Sequence, residues 1–101
     1  MFYLDAQRHL IERQIISIGT LNSSLVHPRE VFEPAVAFHA GSILIVHNHP
    51  SGTLEPSLED KAVTARCVEA GHILGIGVDD HIIVGRDGHL SMKDKGFFTI
   101  T

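Results

Sequence analysis

Cysteine is nearly absent: Cys67 is the single thiol in 101 residues. A disulfide framework within the chain is thereby excluded, and so is a Cys-x-x-Cys zinc site; a lone thiol fits a reducing, cytoplasmic setting. Long apolar runs are missing too. The longest, Ile43-Leu44-Ile45-Val46, has the length of a strand, far short of the roughly 18 residues a membrane helix needs. No charged segment followed by an apolar one opens the chain, so the sequence reads as having no signal peptide. Positive charge is sparse, with eight Lys and Arg against twelve Asp and Glu and a net charge of −4. Nucleic-acid binders carry a basic stripe, whereas here only Lys93-Asp94-Lys95 approaches a cluster, which disfavours direct nucleic-acid binding. Several catalytic signatures are also lacking. There is no HExxH, no Pro-Cys-x-x-Cys of the zinc deaminases and no glycine signature for a phosphate or dinucleotide. The chain is too short for a metallohydrolase barrel, which takes at least about 200 residues.

What remains is a composition for one core: 44% apolar and 20% charged residues, without repeats or linkers. The reading is a single domain over residues 1–101. Phe2-Tyr3-Leu4 reads as the end of a strand, Asp5 to His9 as a polar turn, and Leu10 to Ile18 as the returning strand of a hairpin. Gly19 to Ser24 reads as a loop. His27-Pro28 opens a helix, with proline in the first turn, Glu30 favourable to the dipole and an apolar face of Val31, Phe32, Ala35, Val36 and Phe38. Gly41 is expected to stop it. Ser42 to His47 is apolar at nearly every position, which suggests a strand buried on both faces. Asn48 to Pro56 is a loop. A second helix is expected from about Leu58 to Ala70, with Ser57 as N-cap and Gly71 as stop. Strands are expected next at Ile73 to Val78, His81 to Val84 and His89 to Met92, the last turn being Arg86-Asp87-Gly88. This order predicts an α/β or α+β domain: a mixed central sheet with helices packed on it.

The informative segment runs from His47 to Asp60. Residues i and i+2 of a strand point to one face, so His47 and His49 converge at a strand end. Asp60 lies in the first turn of the next helix, and a helix start facing a strand end is a usual place for an α/β active site. Two histidines and one carboxylate make a zinc set of the catalytic kind, with a fourth position left for water. Taken singly, each piece is ordinary: Ser57-x-x-Asp60 is a capping-box pattern, and a lone HxH is two polar residues ending a strand. Their conjunction after an apolar strand and across a Gly/Pro loop favours metal binding.

The spacing HxH, seven residues, Ser, two residues, Asp resembles the JAMM signature of the JAB/MPN metalloproteases. The wording resembles the RadC branch, in Gly19-Thr20-Leu21-Asn22, His27 to Phe32, His47 to Gly52, and Asp80 to Gly85. The resemblance implies a cytidine-deaminase-like layered fold, with Zn2+ held by His47, His49 and Asp60. It implies that Ser57 stabilises the oxyanion and that metal-activated water hydrolyses a peptide or isopeptide bond. Ser57 is expected to divide one hydroxyl between this role and its cap. The family also uses an upstream glutamate as general base, which the resemblance places just before the first strand. None of Glu12, Glu30, Glu33, Glu55, Glu59 and Glu69 fits that position, so the chain reads as N-terminally shortened, with Glu12 the candidate substitute base. The alternative is a non-catalytic metal-binding or interaction module. The family carries a DNA-repair name, but this chemistry points to a hydrolase with a peptide or protein substrate. A strand at the very start suggests an open sheet edge and hence a homodimer. Cys67 reads as a core thiol, Asp79-Asp80-His81 as a structural strand start, and His27 and His39 as capping or exposed.

Overall fold

The computed structural model describes residues 1–14, 27–49 and 53–97. Among these residues five strands and two helices run in the order β1 (Phe2–Leu4), β2 (Leu10–Arg13), α1 (Pro28–Ala37), β3 (Ser42–Asn48), α2 (Leu58–Leu74), β4 (Gly77–Val84) and β5 (His89–Ser91). They form one mixed sheet in the order β2-β1-β3-β4-β5. β1 runs antiparallel to both β2 and β3, and β5 antiparallel to β4. β3 and β4 are parallel and joined through α2, as a parallel pair requires. The expected α+β class is found. The expected strand from Leu10 ends at Arg13 within the described residues; Ile15 to Ile18 and the loop Gly19 to Ser24 lie outside them.

β1 is bonded on both sides and is interior, and among the described residues the sheet edges are β2 and β5. Asp5 closes the β1–β2 turn: its carboxylate accepts from the Gln7 and His9 N–H groups, both at 2.8 Å. Both helices share one core with one face of the sheet. That core joins Tyr3, Ile43, Ile45 and Val78 of the strands to Val31, Phe32 and Ala35 of α1 and to Val63 and Cys67 of α2. Tyr3 also donates its phenol to the Val31 carbonyl at 2.9 Å. The other face of β3 is only partly covered, with Val46 37% exposed. Burial along β3 therefore alternates, and the expected burial of both faces does not hold.

Three glycine and boundary expectations are corrected by packing. α1 ends at Ala37, and the left-handed residue behind it is His39 (φ 55°), not Gly41. Gly41 serves close approach instead, since a Cβ there would sit 3.0 Å from the Ala6 backbone. Val36, expected on the apolar face of α1, is 53% exposed. α2 runs past Gly71 to Leu74 and is capped by left-handed Gly75 (φ 73°). At Gly71 a Cβ would fall 2.1 Å from the Ile76 carbonyl, because the chain leaving the helix folds back across that position. Ile73 and Leu74 are therefore helical. The two strands expected between Ile73 and Val84 are one, β4, with Asp79 and Asp80 inside it.

Candidate metal centre

β4 carries an irregularity that matters for the site. Val78 pairs with Ile43, but Asp80 pairs with Leu44, so Asp79 is an extra residue on β4. A bulge re-aims the side chains beyond it. Past this one, His81 lies beside Ile45 and Ile83 beside His47, which turns His81 toward the helix layer, where it is wholly buried. The two aspartates are satisfied structurally: Asp79 accepts from Ser42 at 2.7 Å, and Asp80 from the Ser91 hydroxyl and the His81 and Lys93 N–H groups.

The structure brings His47, His49 and Asp60 together at the end of β3. The imidazoles stand edge to face with centroids 4.7 Å apart, as the two-residue period predicts. Asp60 is fully buried on the first turn of α2, and the candidate ligand atoms of all three lie within 4.8 Å of one another. His49 Nε2 is 3.0 Å from Asp60 Oδ2, and His47 Nδ1 is 3.0 Å from Asp60 Oδ1. Among the described residues Asp60 Oδ1 receives no aligned hydrogen bond.

Asp60 is held by a capping box. The Ser57 N–H donates to Asp60 Oδ2 at 2.8 Å, and the Asp60 N–H donates to Ser57 Oγ at 3.0 Å. Burial pushes the Asp60 carboxyl up, but the Ser57 N–H and the neighbouring histidines outweigh it and hold it below the usual carboxylate range. His47 is pushed down, chiefly by burial against the opposing pull of Asp60. His81 is driven down to about 4, first by burial, and is therefore neutral at physiological pH. Because the cap uses Ser57 Oγ as an acceptor, the hydroxyl proton remains a donor, so the two roles of Ser57 use different parts of the group.

His49 Nδ1 lies 3.0 Å from the Thr53 carbonyl. A carbonyl only accepts, so Nδ1 carries the proton, and in the neutral ring Nε2 presents a lone pair. That lone pair faces the Asp60 carboxylate. Two electron-rich atoms at 3.0 Å require a positive charge, either a second proton on His49 or a cation. A ligating histidine whose other nitrogen donates to a carbonyl is the usual arrangement around a metal. The set is thus compatible with a metal ion.

Glu12 stands elsewhere. It is exposed on β2, its carboxylate accepts from the Arg13 N–H at 2.9 Å, and it pairs through Tyr3 with Ile43. Two strand spacings and four residues separate it from His47, roughly 16 Å between backbones. Cys67 is buried and its thiol is pushed up to about 11 by that burial, which suits a core thiol. His27 caps α1, its Nδ1 accepting from the Arg29 N–H at 3.1 Å, and His39 is exposed. Sequence reasoning did not bring out two residues that stand beside the candidate site. Thr53 acts through its carbonyl, which leaves no residue-type signal. His81 looked like a strand start, and only the β3–β4 register reveals it beside the site.

Among the described residues no helix is long and apolar enough to cross a membrane. A family model described as RadC-like JAB domain matches residues 1–97. The chain is 57% identical over 93 residues to a UPF0758 protein of Rubrobacter xylanophilus, covering 92% of this chain and 40% of that one. It is 50% identical over 95 residues to a UPF0758 protein of Methanosarcina mazei, covering 94% and 42%. To a UPF0758 protein of Listeria monocytogenes it is 51% identical over 96 residues, covering 95% and 43%. The chain therefore spans about two-fifths of the length of these curated relatives. With its His-His-Asp set at the end of β3, this chain belongs to the RadC-like JAB domain family.

Proposed function

We propose that this domain is a zinc-dependent hydrolase of the JAMM type, acting on a peptide or isopeptide bond of a protein substrate. The observation that carries the reading is the His49 lone pair set against the Asp60 carboxylate at 3.0 Å, with the other ring nitrogen committed to Thr53. His47 and His49 stand 3.0 Å from different oxygens of the one Asp60 carboxylate, and the candidate ligand atoms of the three residues lie within 4.8 Å of one another. The donor set fits zinc, which takes imidazole nitrogens and a carboxylate oxygen.

When bound, the ion would supply an acidified water and polarise the scissile carbonyl. The chain's own residues do the rest. Thr53 fixes the His49 tautomer, Ser57 holds Asp60 by its N–H, and the Ser57 hydroxyl is free to donate toward a developing oxyanion. Proton transfer to the leaving amine would need a further carboxylate, and the β1–β3 register suggests where to look for it. Phe2 faces Leu44 and Tyr3 faces Ile43; in any chain that continues β1 upstream in this register, His47 would face a position two residues before Met1. A glutamate on that continuation of β1 would share the face of Tyr3 and His47.

The second reading, a metal-binding module without catalysis, is favoured by one observation: the metal cluster among the described residues contains no carboxylate besides Asp60. Cleavage of a peptide library at matched zinc occupancy separates the two. The hydrolase reading expects chelator-sensitive turnover from a chain extended upstream by about 10–15 residues and very slow turnover from residues 1–101. No turnover from the extended chain supports the module. The homodimer we propose pairs along the β2 edge, whose four residues are all exposed. Ile11→Lys should then give a monomer by sedimentation, and a wild type already monomeric excludes it.

A further inference from the structure

Thr64 sits one turn after Asp60 on α2 and is 1% exposed. Its hydroxyl lies 2.7 Å from the Asp60 carbonyl and 2.6 Å from His81 Nδ1. One hydroxyl has one proton to give. The carbonyl only accepts, so the Thr64 proton goes there, and the contact with His81 then requires Nδ1 to carry a proton of its own. The reverse assignment would set the hydroxyl's lone pairs against the Asp60 carbonyl at 2.7 Å. Donation therefore runs from β4 into the helix turn that bears a metal ligand: His81 Nδ1–H to Thr64 Oγ1, and Thr64 O–H to Asp60 O. His81 is wholly buried, its ring centroid is 6.2 Å from that of His47, and its Nε2 is buried without a hydrogen-bond partner among the described residues.

Both residues are costly choices for packing alone. Threonine is a weak helix former at a mid-helix position, and a buried imidazole with one nitrogen unsatisfied is penalised where Val or Ile would fill the space. We propose that His81 and Thr64 are a positioning pair for the metal centre, with His81 held in the Nδ1–H tautomer so that β4 clamps the turn of α2 presenting Asp60. The inference rests on the metal-centre reading above. Partners of this kind hold ligands in orientation, and their loss typically weakens metal binding 10–100-fold.

The test has two arms on the whole chain. In the metal-free protein, long-range proton–nitrogen NMR should show His81 protonated at Nδ1 and bare at Nε2; the opposite tautomer overturns the pair. Zinc affinity is then measured by competition with a chromophoric chelator. Thr64→Val and His81→Leu should weaken it 10–100-fold, while Thr64→Ser, which keeps the hydroxyl, and His81→Asn, which keeps an N–H near Nδ1, should stay close to wild type. The visible spectrum of the cobalt-loaded protein should change in Thr64→Val while far-ultraviolet dichroism does not. Wild-type affinity and cobalt spectrum in folded Thr64→Val overturn this inference alone. A wild type that binds no zinc overturns the metal-centre reading, and the pair's role with it.

Discussion

His49 Nε2 and Asp60 Oδ2 face one another at 3.0 Å, while the Thr53 carbonyl takes the other ring nitrogen of His49 at 3.0 Å. This relationship gives the Asp60 end of the site a demand for positive charge that one neutral histidine cannot meet. It also sets the direction of pH dependence: both imidazoles must be neutral to bind metal, so zinc affinity should fall as pH drops, and because burial holds His47 below its ordinary value the fall should continue below about pH 6.5. A titration that finds affinity unchanged between about pH 7.5 and about pH 5 contradicts this.

Ser57 separates stability from turnover. Ser57→Ala removes the acceptor for the Asp60 N–H and should cost about 1 kcal/mol in urea unfolding. If the hydroxyl also serves the oxyanion, turnover of the upstream-extended chain should drop by roughly two to three orders of magnitude. Unchanged turnover in the folded variant leaves only the cap.

His81 makes stability pH-dependent. Its folded value is about 4 against an ordinary 6.5, so the unfolded chain takes up the proton first as pH falls. Stability from this group is fully present above pH 6.5 and declines between 6.5 and 4, a loss of about 3 kcal/mol. Urea unfolding of chelated protein should show this decline, and His81→Asn should flatten it. An equal slope in wild type and variant removes His81 as the cause.

Gly71 and Gly77 make a contrasting pair. At Gly71 a Cβ meets the Ile76 carbonyl at 2.1 Å, whereas at Gly77 it meets nothing within 4 Å. Gly71→Ala should therefore cost about 3 kcal/mol or more, and Gly77→Ala should stay within about 0.5 kcal/mol of wild type. Similar thermal midpoints for the two variants would contradict the close approach.

The grouping of the candidate site was legible because its parts are local: HxH comes from the strand period and Asp60 from the cap, so His47, His49, Ser57 and Asp60 all fall within fourteen residues. The element order and mixed sheet were legible from the same apolar patterns. The expectations that failed depend on contacts distant in sequence. Gly71 looked like a stop because glycine usually is one, but the chain folding back at Ile76 is what demands it. The single strand β4 looked like two because two aspartates interrupt its apolar run. The bulge at Asp79 and its pairing with β3 absorb them. The turning of His81 toward the site results from that bulge and has no sequence signature.

The central claim is that His47, His49 and Asp60 hold a metal ion, and elemental analysis of purified protein tests it most directly. We expect about one zinc per chain in wild type, the stoichiometry of a single three-ligand site, lost in the His47→Ala, His49→Ala double variant while the fold is retained. Equal metal content in the two proteins, or none in a wild type refolded with zinc, would contradict it.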